Sequence, residues 1–67
     1  MFENDQERLE FLKDLDRAVL KDVEVSDWEA QFIESQMRYA ASNKDFTFSD
    51  AVREKIRQLY VKYGSKV

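Results

Sequence analysis

The feature that most constrains this chain is a set of three apolar stripes at helical spacing, with almost nothing that would break a helix. The 67 residues include no Pro and one Gly. Apolar residues that recur every three or four positions line one face of an α-helix. Because only short polar joints separate the stripes, we predict a single all-α domain, either a three-helix bundle or an open three-helix array.

Capping signals place the predicted helices at about 5–21, 27–42 and 49–63. Asn4 or Asp5 can cap the first helix. Residues 26 to 29 read Ser-Asp-Trp-Glu, which is a capping box and the clearest helix start in the chain. Thr47 or Ser49 can cap the third helix. Gly64 follows its last apolar residue, where we expect a left-handed backbone conformation.

The residue types that are missing exclude several kinds of site. The chain has no Cys and no His, so it lacks disulfides, the usual zinc ligands and the commonest acid–base and nucleophilic side chains. Residues 43 to 54 carry oxygen ligands at several positions of an EF-hand loop, but Phe48 stands where that loop needs Gly. We therefore expect no enzyme activity, no metal and no cofactor.

The charge is divided between the two halves of the chain. Residues 1–34 contain eleven acidic and four basic residues, and residues 35–67 contain three acidic and seven basic residues. Such an acidic half can attract a basic partner, and we assign Asp14 and Asp16 to a partner-binding face. Glu7, Glu10 and Asp14 lie at intervals of three and four, which places them on one helix face; we expect that face to be a solvated surface.

A surplus of large apolar residues points to association. We expect some of these residues to be exposed, because one three-helix core is too small for all of them: Met1, Phe2, Phe11, Leu20, Trp28, Met37, Tyr39, Val61 and Val67. We assign Trp28, Met37 and Tyr39 to the partner-binding surface, because exposed aromatic and Met side chains are enriched at interfaces. The partner is either another protein or a second copy of the chain in a homodimer, and a purely structural homo-oligomer is a further alternative.

The third predicted helix supports an alternative function. Its basic residues Arg53, Lys55, Arg57 and Lys62 could contact the phosphates of a nucleic acid. Against this, the sequence pI is about 4.8, whereas nucleic-acid-binding domains are usually basic. No stretch approaches the roughly 20 apolar residues of a membrane span, and the acidic N-terminal segment does not resemble a secretory signal. We therefore expect a cytoplasmic protein.

Residues 26–63 resemble segments of small bacteriophage-encoded proteins. The resemblance is carried by a Trp-Glu-x-x-Phe helix at Trp28 to Phe32, and by a following helix with Ile56, Leu59 and Tyr60. It implies a phage or prophage setting. It also implies a host-takeover or anti-defence factor that acts by binding a host protein.

Overall fold

The computed structural model describes residues 2–67 and contains three α-helices. They are α1 (Asp5–Lys21), α2 (Asp27–Ser42) and α3 (Asp50–Tyr63), and a short 3₁₀ turn, Gly64–Lys66, follows α3. The predicted all-α, three-helix fold is confirmed, and residues 2–67 contain no strand. Met1, one of the surplus apolar residues, lies outside the described residues. Within residues 2–67, no helix has the length and apolar character needed to cross a membrane.

Each helix begins at a side-chain cap. Asn4 caps α1 through its side chain. The predicted capping box of α2 is confirmed: the Ser26 hydroxyl accepts a hydrogen bond from the Glu29 backbone N–H at 3.1 Å, and the Glu29 carboxylate accepts one from the Ser26 N–H at 2.9 Å. Ser49 caps α3, so the first helical residue is Asp50. These bonds satisfy N–H groups that have no partner within the helix.

The three helices enclose one hydrophobic core. Four side chains are completely buried at its centre: Leu12 and Leu15 from α1, Ile33 from α2 and Ile56 from α3. Other apolar residues of the core surround them: Leu9, Phe11, Ala40, Phe48, Leu59 and Tyr63. Burial of one large aliphatic side chain contributes about 1.5–3 kcal/mol, so this core supplies most of the stabilisation available to so short a chain.

Gly64 does not adopt the left-handed conformation that the sequence predicts. Its φ is −55° and its ψ is −34°, which is right-handed helical geometry. The chain continues from α3 into the 3₁₀ turn without reversing, so no positive φ is needed. A Cβ atom at this position would lie 3.3 Å from Cδ1 of the Tyr60 ring. The Tyr60 ring therefore packs closely over Gly64 and would have to shift slightly to admit a larger residue.

Candidate functional site

Asp5 joins the start of α1 to the start of α3. Its carboxylate accepts two hydrogen bonds from the Arg53 guanidinium, from Nε at 3.0 Å and from Nη2 at 2.9 Å. The Phe48 backbone N–H and Arg8 also donate to it, at 3.0 and 2.8 Å. The Arg53 hydrogen bonds are the largest influence and, with the other donors, lower the pKa of Asp5 to about 2 although burial raises it. Asp5 is therefore a structural carboxylate whose acceptors are occupied.

Glu29 joins the start of α2 to the end of α3, and it is the buried charged residue of the described chain. The Tyr63 hydroxyl donates to its Oε1 at 2.6 Å and the Lys62 ammonium donates to its Oε2 at 3.1 Å. Burial is the largest influence and opposes the charge, but the donors Tyr63, Ser26 and Lys62 together outweigh it and lower the pKa of Glu29 to about 2. Like Asp5, Glu29 therefore has a structural role.

The basic residues assigned to nucleic-acid contacts all have partners within the chain. Arg53 binds Asp5 and Lys62 binds Glu29, as described above. Arg57 donates from Nε to the Glu54 carboxylate at 3.1 Å, one turn earlier on α3. Lys55 places its ammonium 4.8 Å from the centre of the Trp28 ring. A phosphate ligand would have to compete with these intramolecular partners for each of the four cations.

Trp28 lies at the start of α2 with 54% of its surface exposed. Its ring stacks on Phe32 with centroids 5.5 Å apart and an angle of 12° between the planes. The Lys55 ammonium of α3 covers the same indole, in a cation–π contact. The exposed Trp28 predicted from the sequence is thus already in contact with a cation of its own chain.

Met37 and Tyr39 are the other two aromatic or Met residues assigned to the partner-binding surface. Met37 is half-buried and packs against the core. Tyr39 is 41% exposed, and its hydroxyl donates to the Thr47 carbonyl oxygen at 3.0 Å. This bond ties the α2–α3 connection to α2. Both side chains therefore contribute to packing.

A second aromatic cluster lies on the opposite flank of α3, against α1. The rings of Phe2, Phe11 and Tyr60 contact one another, with centroids 5.2–5.7 Å apart. Phe11 is buried, whereas Tyr60 is 42% exposed. These three residues, with Gly64 and Val67, form the floor of an open hollow of about 400 Å³, which we call the aromatic hollow.

Three carboxylates of α1 form the rim of the aromatic hollow: Glu7, Glu10 and Asp14. Asp14 forms an ion pair with Arg17 on the same helix. Glu7 accepts a hydrogen bond from the Glu3 backbone N–H and Glu10 accepts one from the Gln6 side chain, both uncharged donors. In the part of the chain that the structure describes, neither Glu7 nor Glu10 forms an ion pair.

The structure separates residues that the sequence grouped together. Asp14 lies on the rim of the aromatic hollow, but Asp16 does not line it. Asp14 and Asp16 are two positions apart on α1, so their side chains differ by about 200° in direction and belong to different faces of the helix. Trp28 also lies away from the hollow, with Phe32 and Lys55 as its neighbours.

Sequence reasoning missed Tyr60 as a site residue. Its place on the apolar stripe of α3 predicts a position in the core or at its rim, and the structure shows the rim. The sequence marks Phe2 only as one of the surplus apolar residues. The one sequence signal for this site was the three-and-four spacing of the acidic row, which the structure confirms as one face.

Comparison with known proteins gives no assignment. No protein-family model matches the chain, and no curated protein or solved structure is significantly similar to it.

Proposed function

We propose that this protein is a non-enzymatic binding module that recognises another protein through the aromatic hollow and its acidic rim. One observation carries the proposal: an exposed aromatic ring, Tyr60, lies beside a row of carboxylates of which two have no ionic partner among residues 2–67. Exposed aromatic side chains are enriched at protein interfaces, and charged groups at the rim of an interface steer association with a complementary partner.

The electrostatics of the rim support a protein partner. Glu7 and Glu10 lie one turn apart on α1, about 5 Å along its axis, so their fields add on the solvent side of the helix. Asp14 continues the row, but Arg17 compensates its charge. Such a surface speeds association with a positively charged partner and disfavours polyanions. The aromatic floor adds apolar area that a partner can bury.

Two other carboxylates link the helices and are not available to a partner. Asp5 and Glu29 have their oxygen atoms occupied by donors of the same chain. Their low pKa values keep them ionised at neutral pH. These features suit structural ion pairs, whereas a general acid or base is most effective with a pKa near the working pH.

The resemblance to bacteriophage-encoded segments adds a biological context to the proposed function. A small phage factor that binds a host protein would act in the host cytoplasm. The partner could then be a host protein whose basic surface normally binds another acidic molecule. A homodimer that uses the same hollow is the alternative within this function.

A matched pair of charge reversals tests the proposal. Asp14→Lys alters the rim of the aromatic hollow, whereas Asp16→Lys makes the same change of charge on another face of α1. We expect a protein captured stoichiometrically from nuclease-treated host lysate by the natural chain to be retained by Asp16→Lys and lost by Asp14→Lys. Circular dichroism checks that both variants keep their helices.

Two outcomes would contradict the proposal. If both variants retain the captured protein, the partner binds elsewhere on the chain. If all capture disappears on nuclease treatment, the chain is held by nucleic acid, and the basic residues of α3 become the better candidates.

A further inference from the structure

We infer that the segment bound in the aromatic hollow is a basic amphipathic helix, with Lys or Arg residues along one flank and an apolar side chain between them. This inference rests on the proposed function and specifies the chemistry of its partner. The spacing of the rim carboxylates, the rings of the floor and the charge of the rest of the chain support it.

The spacing of the rim favours a helix. Glu7, Glu10 and Asp14 are separated by three and four residues, so they form a nearly straight row parallel to the axis of α1. A second helix lying along α1 presents side chains at the same three-and-four interval and over the same length of about 10 Å. Two cations at that spacing can reach Glu7 and Glu10, and a third would compete with Arg17 for Asp14. An extended chain, with about 3.3 Å per residue, would match the row less regularly.

The floor of the hollow favours an apolar anchor flanked by cations. Tyr60 exposes part of its ring between α1 and α3, and Phe2 is half-buried beside it. An aliphatic side chain placed on these rings would exclude water from the neighbouring carboxylates. A cation at the edge of the hollow can also lie over the Tyr60 ring. The chain itself has this type of contact, since the Arg8 guanidinium lies 5.8 Å from the centre of the Phe2 ring.

The charge of the chain disfavours the competing occupants. A nucleic acid or an anionic membrane would be repelled by the row of carboxylates. A second copy of this chain carries a net charge of −3. Of the four basic side chains of α3, Arg53, Arg57 and Lys62 pair with carboxylates of their own chain, and Lys55 lies over the Trp28 ring. A separate basic segment therefore complements the hollow better than another copy does.

The test uses a synthetic fluorescein-labelled peptide of about 15 residues, long enough for marginal helix formation in water. Its Lys residues repeat the three-and-four spacing of the rim, and Leu residues occupy the adjoining flank. A second peptide has Glu at every Lys position. Binding to the natural chain is measured by fluorescence anisotropy at low and at physiological ionic strength. We expect the Lys peptide to bind at least tenfold more tightly than the Glu peptide, and to weaken several-fold as salt is raised.

Charge exchange on the protein completes the test. In Glu7→Lys/Glu10→Lys the preference is expected to reverse, so that the Glu peptide binds more tightly than the Lys peptide. Leu20→Ala, which alters an exposed apolar residue of α1 outside the hollow, is expected to keep the natural preference. Because both peptides are also compared on the unmodified chain, the test does not depend on the folding of any variant.

Equal binding of the two peptides to the natural chain, or no binding of the Lys peptide, would overturn the inference. If a captured protein is still lost specifically in Asp14→Lys, the proposed function stands and only the partner class is wrong. A stable dimer by light scattering that Glu7→Lys/Glu10→Lys dissociates would overturn the inference in favour of a second copy.

Discussion

Replacing Glu29 with Gln tests whether the buried carboxylate stabilises the fold by linking the start of α2 to the end of α3. The substitution keeps the size and shape of the side chain but removes its charge. One amide oxygen remains to accept a hydrogen bond from Ser26 or Tyr63. The amide NH₂ group, however, faces the Lys62 ammonium in place of a carboxylate oxygen, so the ion pair is lost.

The magnitude follows from the pKa of Glu29. The pKa falls from an ordinary value of 4.5 to about 2 in the folded protein. Each tenfold change in an acid constant corresponds to about 1.4 kcal/mol, so the fall corresponds to about 3 kcal/mol. The Lys62 side chain is 61% exposed, and solvent screens its part of the interaction. We therefore expect Glu29→Gln to lower the free energy of unfolding by about 1–2 kcal/mol at pH 7.

The pH dependence has a definite sign. The folded-state pKa of Glu29 lies below its ordinary value, so the unfolded chain takes up the proton first as the pH falls. The stabilisation is therefore complete above about pH 5 and is lost as the pH falls from about 4.5 towards 2. Gln does not titrate, so the difference between the natural chain and Glu29→Gln should shrink over that interval. Asp5 titrates in both proteins and cancels in the difference.

Urea denaturation followed by far-ultraviolet circular dichroism measures both effects. Glu34→Gln is the matched control, because Glu34 lies on the same helix and pairs with Arg38, and both side chains are more than 60% exposed. We expect this control to change the free energy of unfolding by less than about 0.5 kcal/mol. If Glu29→Gln is as stable as the natural chain at pH 7, or if its deficit stays constant between pH 7 and pH 3, the reasoning is refuted.

Three further predictions concern other contacts. Asp5→Asn should lower the free energy of unfolding at pH 7 by about 1–2 kcal/mol in urea denaturation, because a neutral amide no longer pairs with Arg8 and leaves Arg53 only its longer ion pair with the exposed Asp50; an unchanged value would contradict the structural role of Asp5. Gly64→Ala should raise the free energy of unfolding by about 0.5 kcal/mol, because the backbone is right-handed and the half-exposed Tyr60 ring can shift away from the added methyl group; a loss of about 1 kcal/mol would contradict this prediction and show that the Tyr60 ring is held in place over residue 64. Lys55→Gln should change the fluorescence of Trp28, the single Trp, and alter stability by less than about 1 kcal/mol; unchanged emission would show that the ammonium does not cover the indole in solution.

The helices and their starts could be predicted because their signals are local. The capping box needs only Ser26 and Glu29, which are three residues apart, and the apolar stripes repeat within single turns. The buried positions Leu12, Leu15 and Ile56 likewise follow from the stripes. Local hydrogen bonding and helical period fix these features whatever the tertiary arrangement is.

The ion pairs between helices could not be predicted individually. Asp5 and Arg53 are 48 residues apart, and Glu29 and Lys62 are 33 residues apart. The unequal charge of the two halves indicates that acids and bases meet across the fold, but any of several acids could have met any of several bases. Only the packing angles of the helices select the pairs.

The aromatic hollow depends on the same packing. Phe2 precedes α1 and Val67 follows the 3₁₀ turn, so the two residues come together only when both ends of the chain are in place. The sequence also joined Asp14 with Asp16 and Trp28 in one surface, and helix geometry separates them. The prediction of a left-handed backbone at Gly64 was wrong. A Gly after a helix also allows an aromatic ring to pack closely on the backbone, as Tyr60 does here, and the sequence alone does not reveal that contact.

The two ionic links fix α3 at opposite ends. Arg53, near its start, is bound to the first residue of α1, and Lys62 and Tyr63, at its end, are bound to the first turn of α2. A helix held in this way cannot fray from one end without breaking a cross-link. Its backbone amides should therefore exchange their hydrogens mainly when the whole domain opens, so that α3 behaves as one cooperative unit with the core.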